Sequence, residues 1–484
     1  MVKLSSQRKK NERRFISVAL FFCLLFFIAY LVLSLVRHNH YQSFGYDLGI
    51  NDQVVWRYSQ LQPPLTTSDP FPSETKLVAH VELVYALMSP FYWIFSSEKM
   101  LLLLQVGFVC FSGMAVYLLA KKRDLQPLVC LSLLLAYLGF YGVQNALWFD
   151  VHSASFAAAF IAWFIYFLDN KQPRLSILFL LLAISAKENI GILTFLISLI
   201  YFIKRKDKLT FIFMAVSVGY LCFIYLVYFP HIINHTYLYQ NEAGLLSNLN
   251  PMSFVDSPEK REAIFYSLAG FGFIPLALPF YLIPSFGDFA TYFILASDLK
   301  ASHGLFMHYR ITLAPLLVWA SILTIARFKR LNNNYLAMYL LLCTLSIQYI
   351  LHLPLSYLAK SWFWTEPSGV RNINQMIKEQ LPKNASVVAQ NNIIPHISHR
   401  DKIYTLYPEK KTFTSNSPCG QPECDWFRWV KNPSYLIVDT SPQWDVRHLL
   451  TDRENFVKGL HNLEKMKRIT MYKKVDSTVL YKVK

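Results

Sequence analysis

The chain has 484 residues, of which 54% are hydrophobic and 16% charged, and it carries a net charge of +17. That balance excludes an ordinary soluble protein. The charge does not suit nucleic acid either, because it is dispersed over loops that abut apolar runs, where anionic lipid headgroups are the natural partner.

Residues 1–14 form a basic, cytoplasmic head, and Phe15–Val36 an apolar run. At about 22 residues this run is too long for the core of a signal peptide, and no small-residue cleavage site follows it. It reads as a retained first span. The other basic residues fall in clusters: Lys121/Lys122/Arg123, Lys171/Arg174, Lys204/Arg205/Lys206/Lys208 and Arg327/Lys329/Arg330. Positive loops stay cytoplasmic, so the clusters fix the orientation of a multi-pass protein of the cell membrane.

The first outer loop, 37–98, is Pro-rich around Pro63/Pro64 and Pro70/Pro72 and amphipathic over 48–61. Residues 83–95 are apolar but short and broken by Pro90, which places them at the interface or as a re-entrant segment; counting them as a span would reverse every later cluster. Further spans are expected at 99–119, 126–147, 154–169, 174–186, 190–203, 209–229, 263–283, 284–298, 309–326 and 335–353. That makes about eleven crossings, several of them below the usual lower limit of about 17 residues.

The transmembrane domain is thus 15–353, and the tail 354–484 is expected outside. There Val387–Ala389 and Tyr435–Asp439 read as buried strands, and Asn372–Leu381 and Asp452–Met466 as amphipathic helices. Their alternation predicts a small α/β domain with its own core. Five of the seven cysteines lie in apolar spans as packing residues. Cys419 and Cys424 lie in a polar outer loop, where a local disulfide is the first reading and a metal pair the second.

On this topology the polar residues Asp47, Asp52, His80, Asp150, His152, Lys187, Glu188 and His308 gather on the outer face. Each has a structural alternative. Asp47 suits the N-cap of a helix starting there, and Asp52, five residues on, would lie about 140° around such a helix. Asp150 and His152 can bind a metal, form an acid–base pair, or simply end a span beside an aromatic anchor. Lys187 and Glu188, between two short apolar halves, are a functional pair or a mutually neutralising one. Arg310 suits a phosphate or snorkels to the interface. No phosphate-cradling loop, zinc signature or nucleophile elbow is present.

The segments Asp47-Leu-Gly-Ile-Asn-Asp-Gln53, His80, Trp148-Phe-Asp-Val-His152, Lys187-Glu-Asn189, His308-Tyr309 and Pro395-His-Ile-Ser-His-Arg400 resemble an uncharacterised family of bacterial and archaeal multi-pass proteins. That family is grouped with the GT-C glycosyltransferases of the protein-mannosyltransferase and aminoarabinose-transferase type. The resemblance runs from about Ser43 to Thr440 and implies a mainly α, GT-C-type membrane protein. It implies inverting transfer of a sugar from a polyprenyl-phosphate donor to an extracytoplasmic acceptor, which is a lipid, glycan or protein. An acidic residue after span one, Asp47 first and Asp52 second, would be the base. Lys187, with Arg310, would face the donor phosphate. The five-residue separation of Asp47 and Asp52 departs from the compact acidic pair of the family's relatives and puts metal dependence in doubt.

The chemistry fits these residue types. A carboxylate deprotonates the attacking hydroxyl, and positive charge stabilises the leaving lipid phosphate. A divalent ion such as Mg or Mn could share that task, with Asp52, Asp150 and His152 as its ligands. His80, Glu188, His308 and His396 are supporting or acceptor-side candidates, His396 in a loop that could cover the site. The rival readings are a non-catalytic scaffold binding envelope polymers and a transporter, although a transporter would carry repeated halves and midplane charges.

Overall fold

The computed structural model describes residues 2–68, 77, 80–234, 250–295, 300–406, 433–441 and 453–484. The chain divides into two compact units. The first comprises 1–33, 77–84 and 103–359 and is helical; the second comprises 34–76, 85–102 and 360–484 and contains all the strands among the described residues.

Three helices are long and apolar enough to cross a membrane among the described residues: Arg13–Asn39, Glu98–Lys122 and Lys208–Ile232. A fourth span results if Pro127–Leu138 and Tyr141–Trp148, bent by 42° to one another, count as one. This corrects the expectation of about eleven crossings. The apolar runs are present, but the backbone breaks them. Ser153–Asp169, Pro173–Ile184, Leu313–Arg327 and Asn334–Ile350 are apolar helices of 10–17 residues. A 12-residue helix is only about 18 Å long, against a hydrocarbon core of about 30 Å. The two spans expected over 263–298 become the helix Pro258–Ala269, two 3-10 turns, and the helix Ile283–Ala290. Pro275, Pro279 and Pro284 each open one of the last three elements, because proline lacks the N–H a continuing helix needs. The stretch 83–95 holds only the short helix Val84–Met88 and a 3-10 turn, Ser89–Trp93, as expected of a segment that does not cross.

In the helical unit, Ser153–Asp169 is almost wholly buried, with Ala157, Ala158 and Ala159 letting neighbours approach closely. It packs on Pro173–Ile184 and on Leu313–Arg327. Outward faces stay apolar: Leu20, Phe21, Leu24 and Ile28 on the first helix, and Leu342 and Leu345 on 334–350, are exposed. Such a surface suits lipid, where the backbone bonds internally and apolar side chains face out.

Two of the basic clusters, 121–123 and 204–208, meet at Asp169 in this unit. Asp169, 3% exposed, ends its helix and receives Arg123, Lys122 Nζ at 3.2 Å and Arg205 Nη2 at 3.7 Å, with the Tyr201 hydroxyl donating at 3.0 Å. Trp319 Nε1 donates in turn to Tyr201. Asn332, beside the last cluster, accepts from Gln126 N–H and donates to the Asp124 carbonyl. The ends carrying these clusters therefore share one side, as a common loop polarity requires.

The second unit has a five-stranded sheet. Its strands are β1 (Val387–Ala389), β2 (Ile403–Thr405), β3 (Tyr435–Asp439), β4 (Ile469–Val475) and β5 (Thr478–Val483), in the order β2-β1-β3-β5-β4. β1 runs parallel to β2 and β3, and β5 antiparallel to β3 and β4. Alternate residues serve opposite faces: Val387, Ala389 and Ile437 join Ile373 and Met376 of helix Val370–Gln380, while Val388, Leu436 and Val438 join Phe456, Leu460 and Leu463 of helix Arg453–Lys465. Two covered faces explain why β1 and β3 read as unbroken apolar runs.

The segment after the first apolar helix belongs to this unit. Tyr41 sits in the sheet core, and Gly45 N–H donates to the Asn391 carbonyl at 2.6 Å. Ile403 N–H and Thr405 Oγ1 bind Thr67 Oγ1 and the Ser68 carbonyl at 2.9 and 2.6 Å.

Candidate functional site

The candidate residues fall into two groups, one in each unit. In the helical unit an extended break at 149–152 separates helix Tyr141–Trp148 from helix Ser153–Asp169. Gln105 clamps it, donating to the Asp150 carbonyl at 3.3 Å and accepting from His152 N–H at 2.8 Å. Asp150 is fully buried, and the His152 ring stacks on His308 with centroids 3.3 Å apart. Burial pushes the His308 imidazole well below the ordinary histidine range, helped by His152 and Lys187.

Glu188, fully buried in the turn before helix Ile190–Arg205, does not pair with Lys187. Its Oε1 lies 2.8 Å from His80 Nδ1, and its Oε2 accepts Val81 N–H at 3.1 Å. Two residues along, Glu82 accepts from Ser153 Oγ at 2.6 Å. Burial lowers the pKa of His80, Lys187 lowers it further, and Glu188 only partly restores it. The Lys187 ammonium, half-buried near His80 and His308, engages no hydrogen bond or ion pair among the described residues.

Arg310 is fully buried. It donates to the carbonyls of Ser302 and Gly304, and its guanidinium lies 4.9–5.5 Å from the rings of Phe289, Tyr292 and Phe293. Those contacts tie it to its own loop, while its Nη1 has no hydrogen-bond partner among the described residues.

In the second unit Gly45–Gly49 is a π-helical turn, and a regular helix starts only at Ile50 and ends at Ser59. Asp47 lies in the turn, half-buried, and does not cap a helix. Asp52 lies in the first turn of the helix, where the free N–H groups favour a carboxylate, and is completely buried. Tyr92 donates to its Oδ1 and Ser398 to its Oδ2, and His399 Nε2 lies 3.0 Å from Oδ2. This last contact becomes an ion pair when His399 is protonated; its direction is not that of a hydrogen bond. The His399 ring also stacks on Trp56, and its Nδ1 lies 3.4 Å from Ser96 Oγ. Burial works to lower the His399 pKa, but the Asp52 carboxylate overcomes it, so the net shift is upward.

The loop that carries Ser398 and His399 follows the C-terminal end of β1, the usual place for sites on parallel strands. Gly45 and Gly49 hold it, because a Cβ on either would come within 2.7 and 2.6 Å of Ile394. His396, in the same loop, stacks on Tyr41 and His38.

Asp52 is therefore surrounded by hydroxyls and an imidazole, a set suited to holding and moving a proton. Asp150 and His152, proposed beside it as metal ligands, belong to the other unit. Cys419 and Cys424 lie outside the described residues. The sequence did not single out Tyr92, His38 or Glu98, and it marked Ser398 and His399 only as part of the Pro395–Arg400 loop. For three of them the available signal was position: His38 ends the first apolar run, Glu98 opens the second, and His399 repeats the polar pattern of His396.

No curated protein matches the chain. A family model described as "Predicted membrane protein (DUF2079)" matches residues 37–456, which include both groups. The chain, with its apolar helices and this match over most of its length, belongs to that family of predicted membrane proteins.

Proposed function

We propose that this protein is an inverting glycosyltransferase that moves a sugar from a polyprenyl-phosphate donor to an acceptor hydroxyl outside the membrane. One observation carries the reading: a fully buried carboxylate, Asp52, soon after the first apolar helix, 3.0 Å from the partly exposed imidazole of His399. A buried Asp that raises the proton affinity of a reachable His makes that His a proton acceptor. The acceptor hydroxyl gives its proton to His399 as its oxygen attacks the anomeric carbon. The carbon–oxygen bond to the phosphate breaks on the opposite face, and the lipid phosphate leaves. Asp52 stabilises the imidazolium that results. Asp47, half-exposed, is the alternative base. Lys187, in the helical unit, is a candidate for binding a phosphate, since its half-buried ammonium engages no hydrogen bond or ion pair among the described residues.

The test is mass spectrometry of envelope glycans and polyprenyl-phosphate sugars from a deletion strain, rescued with wild type, Asp52→Asn or Asp47→Asn. The reading expects a glycan that disappears on deletion, an accumulating lipid-linked donor, and rescue by wild type but not by Asp52→Asn. Rescue by Asp52→Asn with failure of Asp47→Asn would move the base to Asp47. No glycan difference while the protein is expressed would favour the scaffold or transporter readings.

A further inference from the structure

We infer a second site in the sheet-containing unit, one that binds a divalent metal of the zinc class through His38, Glu98 and His396. It is separate from the transfer reaction proposed above and does not depend on it. The three residues come from distant parts of the chain: the end of the first long helix, the start of the second, and the loop after β1. One ligand atom from each lies within 4.8 Å of the other two.

The pairing of His38 and Glu98 is the core of the site. His38 is fully buried, and its Nε2 lies 3.0 Å from Glu98 Oε1. Its other nitrogen, Nδ1, sits 3.2 Å from Ser43 Oγ. A metal-binding imidazole characteristically gives its second nitrogen to such a partner, which fixes the ring and the tautomer. Without a metal, Nε2–H donates to Glu98 and the Ser43 hydroxyl donates to Nδ1; with a metal bound, Nδ1–H donates to Ser43 and the Nε2 lone pair turns to the ion.

His396 supplies the third ligand. Its ring stacks on His38 with centroids 4.2 Å apart and on Tyr41 at 3.7 Å, and Tyr41 is itself tied to Asn374 by a 2.8 Å hydrogen bond. Its Nε2 is buried and has no hydrogen-bond partner among the described residues. A buried imidazole nitrogen without a partner costs free energy unless something binds it. Zinc bonds of about 2.0–2.2 Å place tetrahedral ligand atoms roughly 3.4 Å apart, so binding would draw the three atoms together and turn the His396 ring out of its stack on His38 to aim its in-plane lone pair at the ion.

Two His and one Glu suit zinc better than magnesium, which prefers oxygen ligands. Three protein ligands leave a fourth position open. His396 lines a cavity of about 400 Å³ together with Tyr41, Lys99, Trp364, Glu366 and Asn374. A small oxygen ligand reaching the metal from that cavity would meet Lys99, which favours an anionic one.

The test uses the full chain, purified in detergent and stripped with a chelator. Zinc is titrated against a chromophoric chelator, bound zinc is counted by mass spectrometry after desalting, and cobalt is added to read the coordination geometry from its visible bands. The inference expects one ion per chain, tetrahedral cobalt bands, at least 100-fold weaker zinc binding in His396→Ala and Glu98→Gln, and about 10-fold weaker binding in Ser43→Ala. Size-exclusion profiles matching wild type show that the variants fold; if His396→Ala does not, Ser43→Ala and the wild-type cobalt spectrum decide. Absence of stoichiometric zinc in wild type overturns the site. So does binding that persists unchanged in folded His396→Ala or, where that variant fails to fold, in Ser43→Ala.

Discussion

His399 Nε2 and Asp52 Oδ2 lie 3.0 Å apart although 346 residues separate Asp52 from the neighbouring Ser398, which touches the same carboxylate. The carboxylate is wholly buried and the imidazole is partly exposed, so the pair joins a fixed charge to a group that a substrate can reach. Replacing Asp52 with Asn keeps the shape and removes the charge. Transfer should fall by about 10²–10⁴-fold while membrane levels stay at those of wild type, as read by turnover of the lipid-linked sugar per unit protein.

The same pair sets two pH dependences of known sign. A base must be unprotonated to act, so activity should rise with pH through a value above the ordinary histidine range, and Asp52→Asn should move that limb to lower pH. For stability the sign is opposite. A histidine whose folded pKa is raised stabilises the fold fully below its unfolded value, and loses that contribution as pH rises through the folded one. The unfolding temperature of wild type minus that of His399→Gln should thus be larger at about pH 5.5 than at about pH 8.5. An unchanged difference would mean that His399 is not charged by Asp52.

Asp169 gathers Lys122, Arg123, Arg205 and the Tyr201 hydroxyl around a carboxylate only 1% exposed. Asp169→Asn leaves these cations without a counter-charge. Their own partial exposure softens the loss, and a destabilisation of about 2–3 kcal/mol is expected in detergent, against 3–5 for a fully buried pair. Thermal unfolding followed by fluorescence would measure it. A shift no larger than that of a surface control would show that the cluster contributes no stability.

Gly49 and Ile394 fit because glycine has no Cβ; one built there would lie 2.6 Å from Ile394 Cγ2. Gly49→Ala should destabilise by about 1–3 kcal/mol, the usual range for overpacking. Shortening the opposing side chain should recover part of the loss, so the double variant Gly49→Ala/Ile394→Ala should be more stable than the sum of the single changes predicts. Strict additivity in unfolding midpoints would sink this contact.

Lys187, half-buried in the helical unit, engages no hydrogen bond or ion pair among the described residues. If it binds a donor phosphate, Lys187→Gln should raise KM for the polyprenyl-phosphate sugar about tenfold, equivalent to about 1.4 kcal/mol, with a smaller change in kcat. A normal KM would return Lys187 to a structural role.

Much of this protein was legible locally. The two expected strands, 387–389 and 435–439, and the helices near 372–381 and 452–466 appear within a few residues of where apolar period and turn residues put them. The failure of 83–95 to form a full span follows from its length and from Pro90. Basic clusters at helix ends announced a shared side, and Asp169 collects two of them. What composition could not settle was whether an apolar run stays one helix: Pro275, Pro279 and Pro284, and the bend between 138 and 141, turned expected spans into short pieces.

The sequence by itself determined that this is a membrane protein with apolar helices and a small C-terminal sheet, because hydropathy, charge spacing and strand period are local properties of the chain. Only the tertiary structure decided which charged groups act on which. It buried Asp52 beside His399 and left Asp47 in a turn, gave Glu188 to His80 and freed Lys187, and enclosed Arg310 in its own loop. A pair distance across hundreds of residues depends on how separate elements pack, and no residue spacing along the chain encodes it.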